Sequence, residues 1–182
     1  MGSIGGSFRG RPIGTVEVGI TREKSGRARK SRYRVISRVI VYEQYAEGLT
    51  GLDGYSHLII VWWMHEQKEV RLRVTPWGRT DLREVGIFAT RFPVRPNAIG
   101  VSVVQLIEVS GNRLSVRGLD AWTGTPVLDI KPYDYYDIVK SAKVPDWFMK
   151  NWEEHSAKRK AANATWLGPH TVQKRKRIDL RS

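Results

Sequence analysis

The sequence predicts a mainly β fold, an antiparallel sheet or barrel followed by one C-terminal helix and a basic tail. Three observations predict it. Short runs of β-branched and aromatic residues recur between Ile13 and Ile130, with Gly, Asn, Asp or Pro in the gaps. No long helical pattern separates consecutive runs, which disfavours the βαβ rhythm of a Rossmann fold. A single helical pattern is found, and it follows Pro145.

Taken in order, Ile13–Ile20 is short, β-branched and opened by Arg11, Pro12 and Gly14. Tyr33–Tyr42 carries Val35, Ile36, Val39, Ile40 and Val41 and is reached through a very basic loop. His57–His65 is apolar at consecutive positions, as a central strand covered on both faces would be. Further strand-like runs are Arg71–Thr75, Glu84–Thr90, Val101–Val109, Leu114–Leu119 and Pro126–Ile130, with Ser110-Gly111-Asn112 as a turn between two of them. The helix starts with Asp146 as its expected N-cap, takes an apolar side from Trp147, Phe148 and Trp152, and runs to about Ala162. Residues 166–182 read as an extended arm.

Composition narrows the possibilities. A chain of 182 residues with 41% hydrophobic residues and seven Trp can bury a core. It has no cysteine, which excludes disulfides, thiol nucleophiles and cysteine-bound zinc and fits a reducing, cytoplasmic setting. The longest apolar run, Leu58–Met64, is too short to span a bilayer, and the N-terminal residues lack the apolar stretch of a secretory signal. The net charge is +13, but it is unevenly placed. Residues 1–38 hold ten basic and two acidic residues, residues 155–182 eight and one, and the stretch between them thirteen and fifteen. Two basic flanks around a near-neutral middle point to a phosphate-rich partner, with nucleic acid ahead of a membrane surface.

Neither a G-x-G-x-x-G turn nor a P-loop is found, so any nucleotide-like ligand is held in another way. His57 and His65 would share a face of an ideal strand, yet no further ligands accompany them, and no metal site is assigned. Gly86–Gly100 is a short strand running into a loop stiffened by Pro93 and Pro96, from which Arg91 and Arg95 project. Arginines fixed in this way lose less entropy on meeting a carboxylate or phosphate, although a hairpin with solvated charges has the same composition. In Gly118–Tyr133 a turn feeds a strand on which Asp129, Lys131 and Tyr133 alternate, so they share a face and can line one pocket. An ordinary surface pair of Asp129 with Lys131 remains the alternative.

These blocks together resemble the TsaA-like family, which includes the tRNA threonylcarbamoyladenosine N6-methyltransferases. The resemblance rests on Pro12-Ile13-Gly14, Tyr45-Ala46-Glu47-Gly48-Leu49 and Leu52-Asp53-Gly54-Tyr55-Ser56-His57. It continues through Phe88-Ala89-Thr90-Arg91, Arg95-Pro96-Asn97, Ile99-Gly100, Gly124-Thr125-Pro126 and Asp129-Ile130-Lys131-Pro132-Tyr133. Residues 11–139 would form the barrel domain, after a basic N-terminus at 1–10 and before a helix at 140–165 and a tail at 166–182. The resemblance implies a small β-barrel that binds S-adenosyl-L-methionine without a Rossmann domain. It also implies a homodimer with the cofactor near the subunit interface. His65, Glu66, Arg91, Val101, Asp120, Ala121, Trp122 and Thr123 are the implied cofactor contacts. Where the family usually carries a P-R-Q element, this chain has Ser25–Arg32, which is short and basic.

Methyl transfer requires an electrophilic methyl held in line with a lone pair, so positioning carries most of the catalysis. An exocyclic adenine nitrogen is a weak nucleophile, and a carboxylate that takes or orients its proton helps. Asp129 is the candidate for that role, with Lys131 and Tyr133 beside it as catalytic residues. Arg95 and Asn97 are candidates for gripping the substrate. Arg27, Arg29, Lys30, Arg32, Lys174, Arg175, Lys176 and Arg177 are candidates for gripping RNA. The expected function is methylation of a modified adenosine in the tRNA anticodon loop. The alternatives are a non-catalytic cofactor- or RNA-binding protein on the same barrel and a methyltransferase with a non-RNA substrate.

Overall fold

Alternation of apolar and polar residues along six strands produces the core. The computed structural model describes residues 10–20 and 35–160, and the chain divides into two compact units, Met1–Asp134 and Tyr135–Ser182. In the first unit, β1 (Gly14–Val18), β2 (Ile36–Val41), β3 (His57–Trp63), β6 (Ile99–Ser110), β7 (Arg113–Arg117) and β8 (Pro126–Pro132) form a closed barrel in the order β1-β2-β7-β6-β3-β8. Every neighbouring pair is antiparallel. Closure pairs each barrel strand with two neighbours, which limits the exposed strand edges that recruit other chains.

Inward residues come at every second position: Val16 on β1, Val39 and Val41 on β2, Leu58 and Ile60 on β3, Val104 on β6, Leu114 and Val116 on β7, and Val127 on β8, all buried. Leu49, Leu52, Leu119 and Ala121 join the same cluster from the connections. The β6–β7 hairpin turns at Gly111 (φ +56°), a left-handed conformation that glycine accepts without strain. Asn112 then ties that hairpin to β2, its side-chain amide donating to the Val41 carbonyl at 2.9 Å.

The strand expectations hold for the barrel and shift elsewhere. β3 ends at Trp63, short of His65. The Met64 N–H bonds the Ala98 carbonyl and the His65 N–H turns back to the Trp63 carbonyl, each at 2.8 Å, so alternation stops there. The expected strand Glu84–Thr90 is reduced to β5 (Val85–Gly86), paired with β4 (Arg73–Val74), and then tightens into a 3-10 turn at Ile87–Ala89. The Thr90 N–H and hydroxyl both donate to the Ile87 carbonyl, a local bond that competes with the ladder. A 3-10 segment at Glu43–Leu49 carries no periodic signal and was not expected.

In the second unit, helix α1 (Asp146–Lys160) begins one residue earlier than an Asp146 N-cap requires. The Pro145 carbonyl accepts from the Phe148 and Met149 N–H groups, so Pro145 holds the capping position. Asp146 stabilises the first turn through the helix dipole instead. Among the described residues no helix is long and apolar enough to cross a membrane.

Ser37 is 1% exposed inside the barrel and its hydroxyl has no partner among the described residues. Ser37→Ala should therefore raise stability by about 1 kcal/mol, because an unpaired buried hydroxyl carries a desolvation penalty. Leu114→Ala, at a fully buried site, should lower it by roughly 2–5 kcal/mol. Urea denaturation midpoints compare the two, and a Ser37→Ala loss as large as that of Leu114→Ala would contradict this account.

Candidate active site

The turn between β7 and β8, Gly118–Thr125, is held from three sides. Gly118 (φ +101°) and Gly124 (φ +85°) supply its left-handed corners. From β1, the Gly19 N–H donates to Thr123 Oγ1 and the Ile20 N–H donates to the Ala121 carbonyl, both at 3.0 Å. The approach is close: a Cβ on Gly19 would sit 2.5 Å from the Ala121 oxygen and 2.9 Å from the Thr123 nitrogen. From β6, the nearly buried Ser102 hydroxyl accepts from the Asp120 N–H at 3.4 Å and from Trp62 Nε1 at 3.1 Å. The Trp62 indole lies across Gly100, its partner in the β3–β6 register, where any Cβ would overlap the ring. Asp120, Ala121, Trp122 and Thr123 are thus positioned by three strands.

The same barrel end collects other candidates. Trp63 pairs with Ile99, so the excursion of residues 64–98, with His65, Glu66, Arg91, Arg95 and Asn97, starts and finishes there. Ile36 pairs with Arg117, and Ile20 bridges Trp122, so both residues flanking the basic segment also lie at this end. Arg27, Arg29, Lys30 and Arg32 themselves, like Lys174, Arg175, Lys176 and Arg177, fall outside the described residues. His65 Nε2 is 3.9 Å from Glu66 Oε1 and its ring meets that of Trp63 edge-on, with centroids 6.2 Å apart. Both side chains are partly exposed, so that pair adds little to stability.

Asp129 and Lys131 lie on the outer face of β8, with Oδ2 and Nζ 2.6 Å apart. Asp129 also accepts from the Ile130 N–H at 2.9 Å. In register, Asp129 is opposite Val61, and Val61 is opposite Val101. Two inter-strand steps put the Cα atoms of Asp129 and Val101 about 10 Å apart on one outer face. Val101 is 55% exposed there, and half-exposed Trp63 and Ile99 extend the same apolar face.

Tyr133 is not part of this cluster. Four residues beyond Asp129, at about 3.3 Å per residue, it lies some 13 Å further along the strand, toward His57. Its N–H donates to the His57 carbonyl, the two rings meet edge-on with centroids 6.4 Å apart, and its hydroxyl is buried without a partner. Burial pushes the His57 imidazole below its ordinary value, and Ser56 Oγ lies 3.0 Å from Nδ1. A groove of about 620 Å³, lined by Ile13, Tyr45, Leu52, Ile130 and Pro132 among others, reaches from that end as far as Asp129, which also lines it.

Arg95 has a duty within its own loop. Nη1 donates to the Thr90 carbonyl at 2.6 Å and to the Ile87 carbonyl at 3.3 Å. Arg91 and Asn97 are exposed. Gly19, Trp62 and Ser102 were not singled out in the sequence, because their roles depend on a register that only pairing reveals.

The model of the tRNA-methyltransferase O N-terminal domain matches residues 21–138. The chain belongs to this family. It is 41% identical over 124 residues to an S-adenosyl-L-methionine-binding protein of Archaeoglobus fulgidus, covering 68% of this chain and 87% of that one. A putative S-adenosylmethionine-dependent methyltransferase, RcsF, of Pseudomonas aeruginosa is 45% identical over 100 residues, 53% of this chain and 43% of the relative. Among solved structures, TrmO from Pseudomonas aeruginosa superposes with a TM-score of 0.62 at 31% identity, covering 75% of this chain and 61% of that one.

Gly100→Ala should destabilise the fold by about 2 kcal/mol or more, since the new methyl and the Trp62 ring claim one space. Combined with Trp62→Leu, its additional cost should fall well below its cost alone, as expected of residues in contact. Denaturation midpoints of the two singles and the double measure this, and simple additivity would refute the packing. His57 is held neutral in the fold, so its contribution is complete above about pH 6.5 and is lost as the pH falls through the lowered value. Between about pH 7.5 and about pH 5.5, the wild type should lose more stability than His57→Gln; equal losses would show that His57 is not the group responsible.

Proposed function

We propose that this protein is an S-adenosyl-L-methionine-dependent methyltransferase that modifies tRNA, most specifically the N6 position of a threonylcarbamoyl-bearing adenosine in the anticodon loop. The observation that carries the reading is the outer barrel face where Asp129, Val61 and Val101 share one row, in a barrel whose Asp120–Thr123 turn is braced by β1 and β6. Family membership and the cofactor named for its relatives support it.

The residues at this end suit the cofactor. Val101, Trp63 and Trp122 offer apolar and aromatic surface for an adenine. The carboxylates of Asp120 and Glu66 suit ribose hydroxyls and a cationic ligand. S-adenosyl-L-methionine supplies an electrophilic methyl when bound. Asp129 accepts or orients the amine proton of the target base, and Lys131, within ion-pair distance, holds that carboxylate along the outer face. Tyr133 acts from further along the strand, toward the part of the substrate lying near His57. Arg91 belongs to the cofactor side, while Arg95 and Asn97 face the substrate, whose threonylcarbamoyl carboxylate suits an arginine. A second copy of the chain lying against the part of the exposed Trp63, Ile99 and Val101 face that the cofactor leaves free would give a homodimer with the cofactor near its interface. The basic residues 27–32 and 174–177 add phosphate contacts to a protein working on cytoplasmic tRNA.

Incubation with labelled S-adenosyl-L-methionine and bulk tRNA, followed by digestion to nucleosides, should place label in a modified adenosine. Tight cofactor binding with no transfer to any RNA would instead establish the non-catalytic alternative. Asp129→Asn should lower the methylation rate by roughly 100-fold or more while leaving cofactor affinity unchanged. Full activity in that variant would remove Asp129 from the chemistry.

A further inference from the structure

The 3-10 turn Ile87–Ala89 sends neighbouring side chains in opposite directions. Ile87 is buried with Val74 and Val94 in a small core of its own, which leaves Phe88 pointing outward and 75% exposed. A single exposed apolar residue is ordinary. Phe88 differs in what accompanies it. The Arg95 guanidinium carbon lies 5.7 Å from the ring centroid, within cation–π range. That guanidinium is held in place by the Thr90 and Ile87 carbonyls, in a segment stiffened by Pro93 and Pro96. Thr90 Oγ1 accepts from the Phe92 N–H at 3.2 Å and fixes the next turn of chain. The ring is therefore presented to solvent with its support already ordered, beside exposed Arg91 and part-exposed Phe92.

An aromatic face held rigid and exposed, with a cation beneath it, is the chemistry that stacks an unpaired nucleobase. We propose that Phe88 is a base-stacking platform for an unpaired nucleotide of the RNA substrate, with Arg95 as its positioning residue. This rests on the RNA reading above and extends it to a residue to which that reading gives no role. Single-stranded loops are where RNA exposes bases for such stacking, so the platform selects looped over fully paired RNA.

The test compares wild type, Phe88→Leu and Phe88→Tyr by filter binding of bulk tRNA at several salt concentrations. Cofactor affinity and urea midpoint are measured alongside. Leucine keeps the apolar bulk and removes the π face. Phe88→Leu should weaken tRNA binding by between about 5-fold and about 150-fold, the range for losing one stacked base, with an unchanged salt slope. Phe88→Tyr should bind within about twofold of wild type, and both variants should keep wild-type cofactor affinity and midpoint. Wild-type tRNA affinity in Phe88→Leu would overturn the platform alone. The same affinity with a changed sedimentation behaviour would assign Phe88 to a contact between copies of the chain. A wild-type protein that binds no tRNA even at low salt would overturn the RNA reading and the platform together, before any variant is compared.

Discussion

The barrel closes on a short seam. β1 meets β8 through only two residue pairs, Gly14 with Val127 and Thr15 with Pro126, and the candidate site depends on that seam. Without it β8 would be an edge strand, with backbone groups unpaired along the side that now faces β1. Gly14 makes the closure possible, because a side chain there would overlap the Ile40 carbonyl on the other neighbour of β1. Just past the seam, the Val16 N–H donates to the Thr125 carbonyl and the Val16 carbonyl accepts from the Gly124 N–H. The bonds from Gly19 and Ile20 to the Asp120–Thr123 turn continue the same contact. The strand that shuts the barrel is therefore also the strand that shapes the proposed cofactor turn.

Much of this was legible in the sequence, for a definite physical reason. Strands that face a narrow interior on one side must alternate, and residues such as Val39, Val41, Leu58, Ile60, Leu114 and Val116 carry that pattern locally. The Ser110–Asn112 turn and the Pro126 start of β8 were visible because Gly and Pro act on their own backbone. What was hidden depends on partners distant in sequence. Gly100 reads as an ordinary glycine until β3 lies beside β6 and the Trp62 ring covers it. His65 was placed on a strand face by counting, and two backbone hydrogen bonds end the strand before it. Thr90, which has good strand propensity, bonds the Ile87 carbonyl and turns an expected strand into the support for Phe88.

The uneven charge gains meaning from the topology. The described barrel is close to neutral, whereas the residues on either side of the basic segment 21–34, Ile20 and Ile36, both lie at the end that carries the Asp120 turn. Electrostatic attraction to such a segment gives affinity without sequence preference. Selectivity comes from groups that touch bases and modifications, and the loop bearing Phe88 and Arg95, tied by its own hydrogen bonds, is proposed to supply one.

The proposed role of Asp129 divides the labour of the site across strands. Its carboxylate belongs to β8, the apolar surface beside it to β3 and β6, and the turn with Asp120 to the β7–β8 connection. No one segment carries the site, so its geometry is set by inter-strand register, in which a slip by one residue would send every side chain to the opposite face. The pairing Asp129–Val61–Val101 fixes the distance between the proposed proton-handling group and the proposed cofactor surface. The 2.6 Å contact with Lys131 contributes little to stability at that half-exposed position. It does confine the carboxylate to one direction along the outer face, and for a reaction governed by alignment that confinement matters more than the strength of the pair.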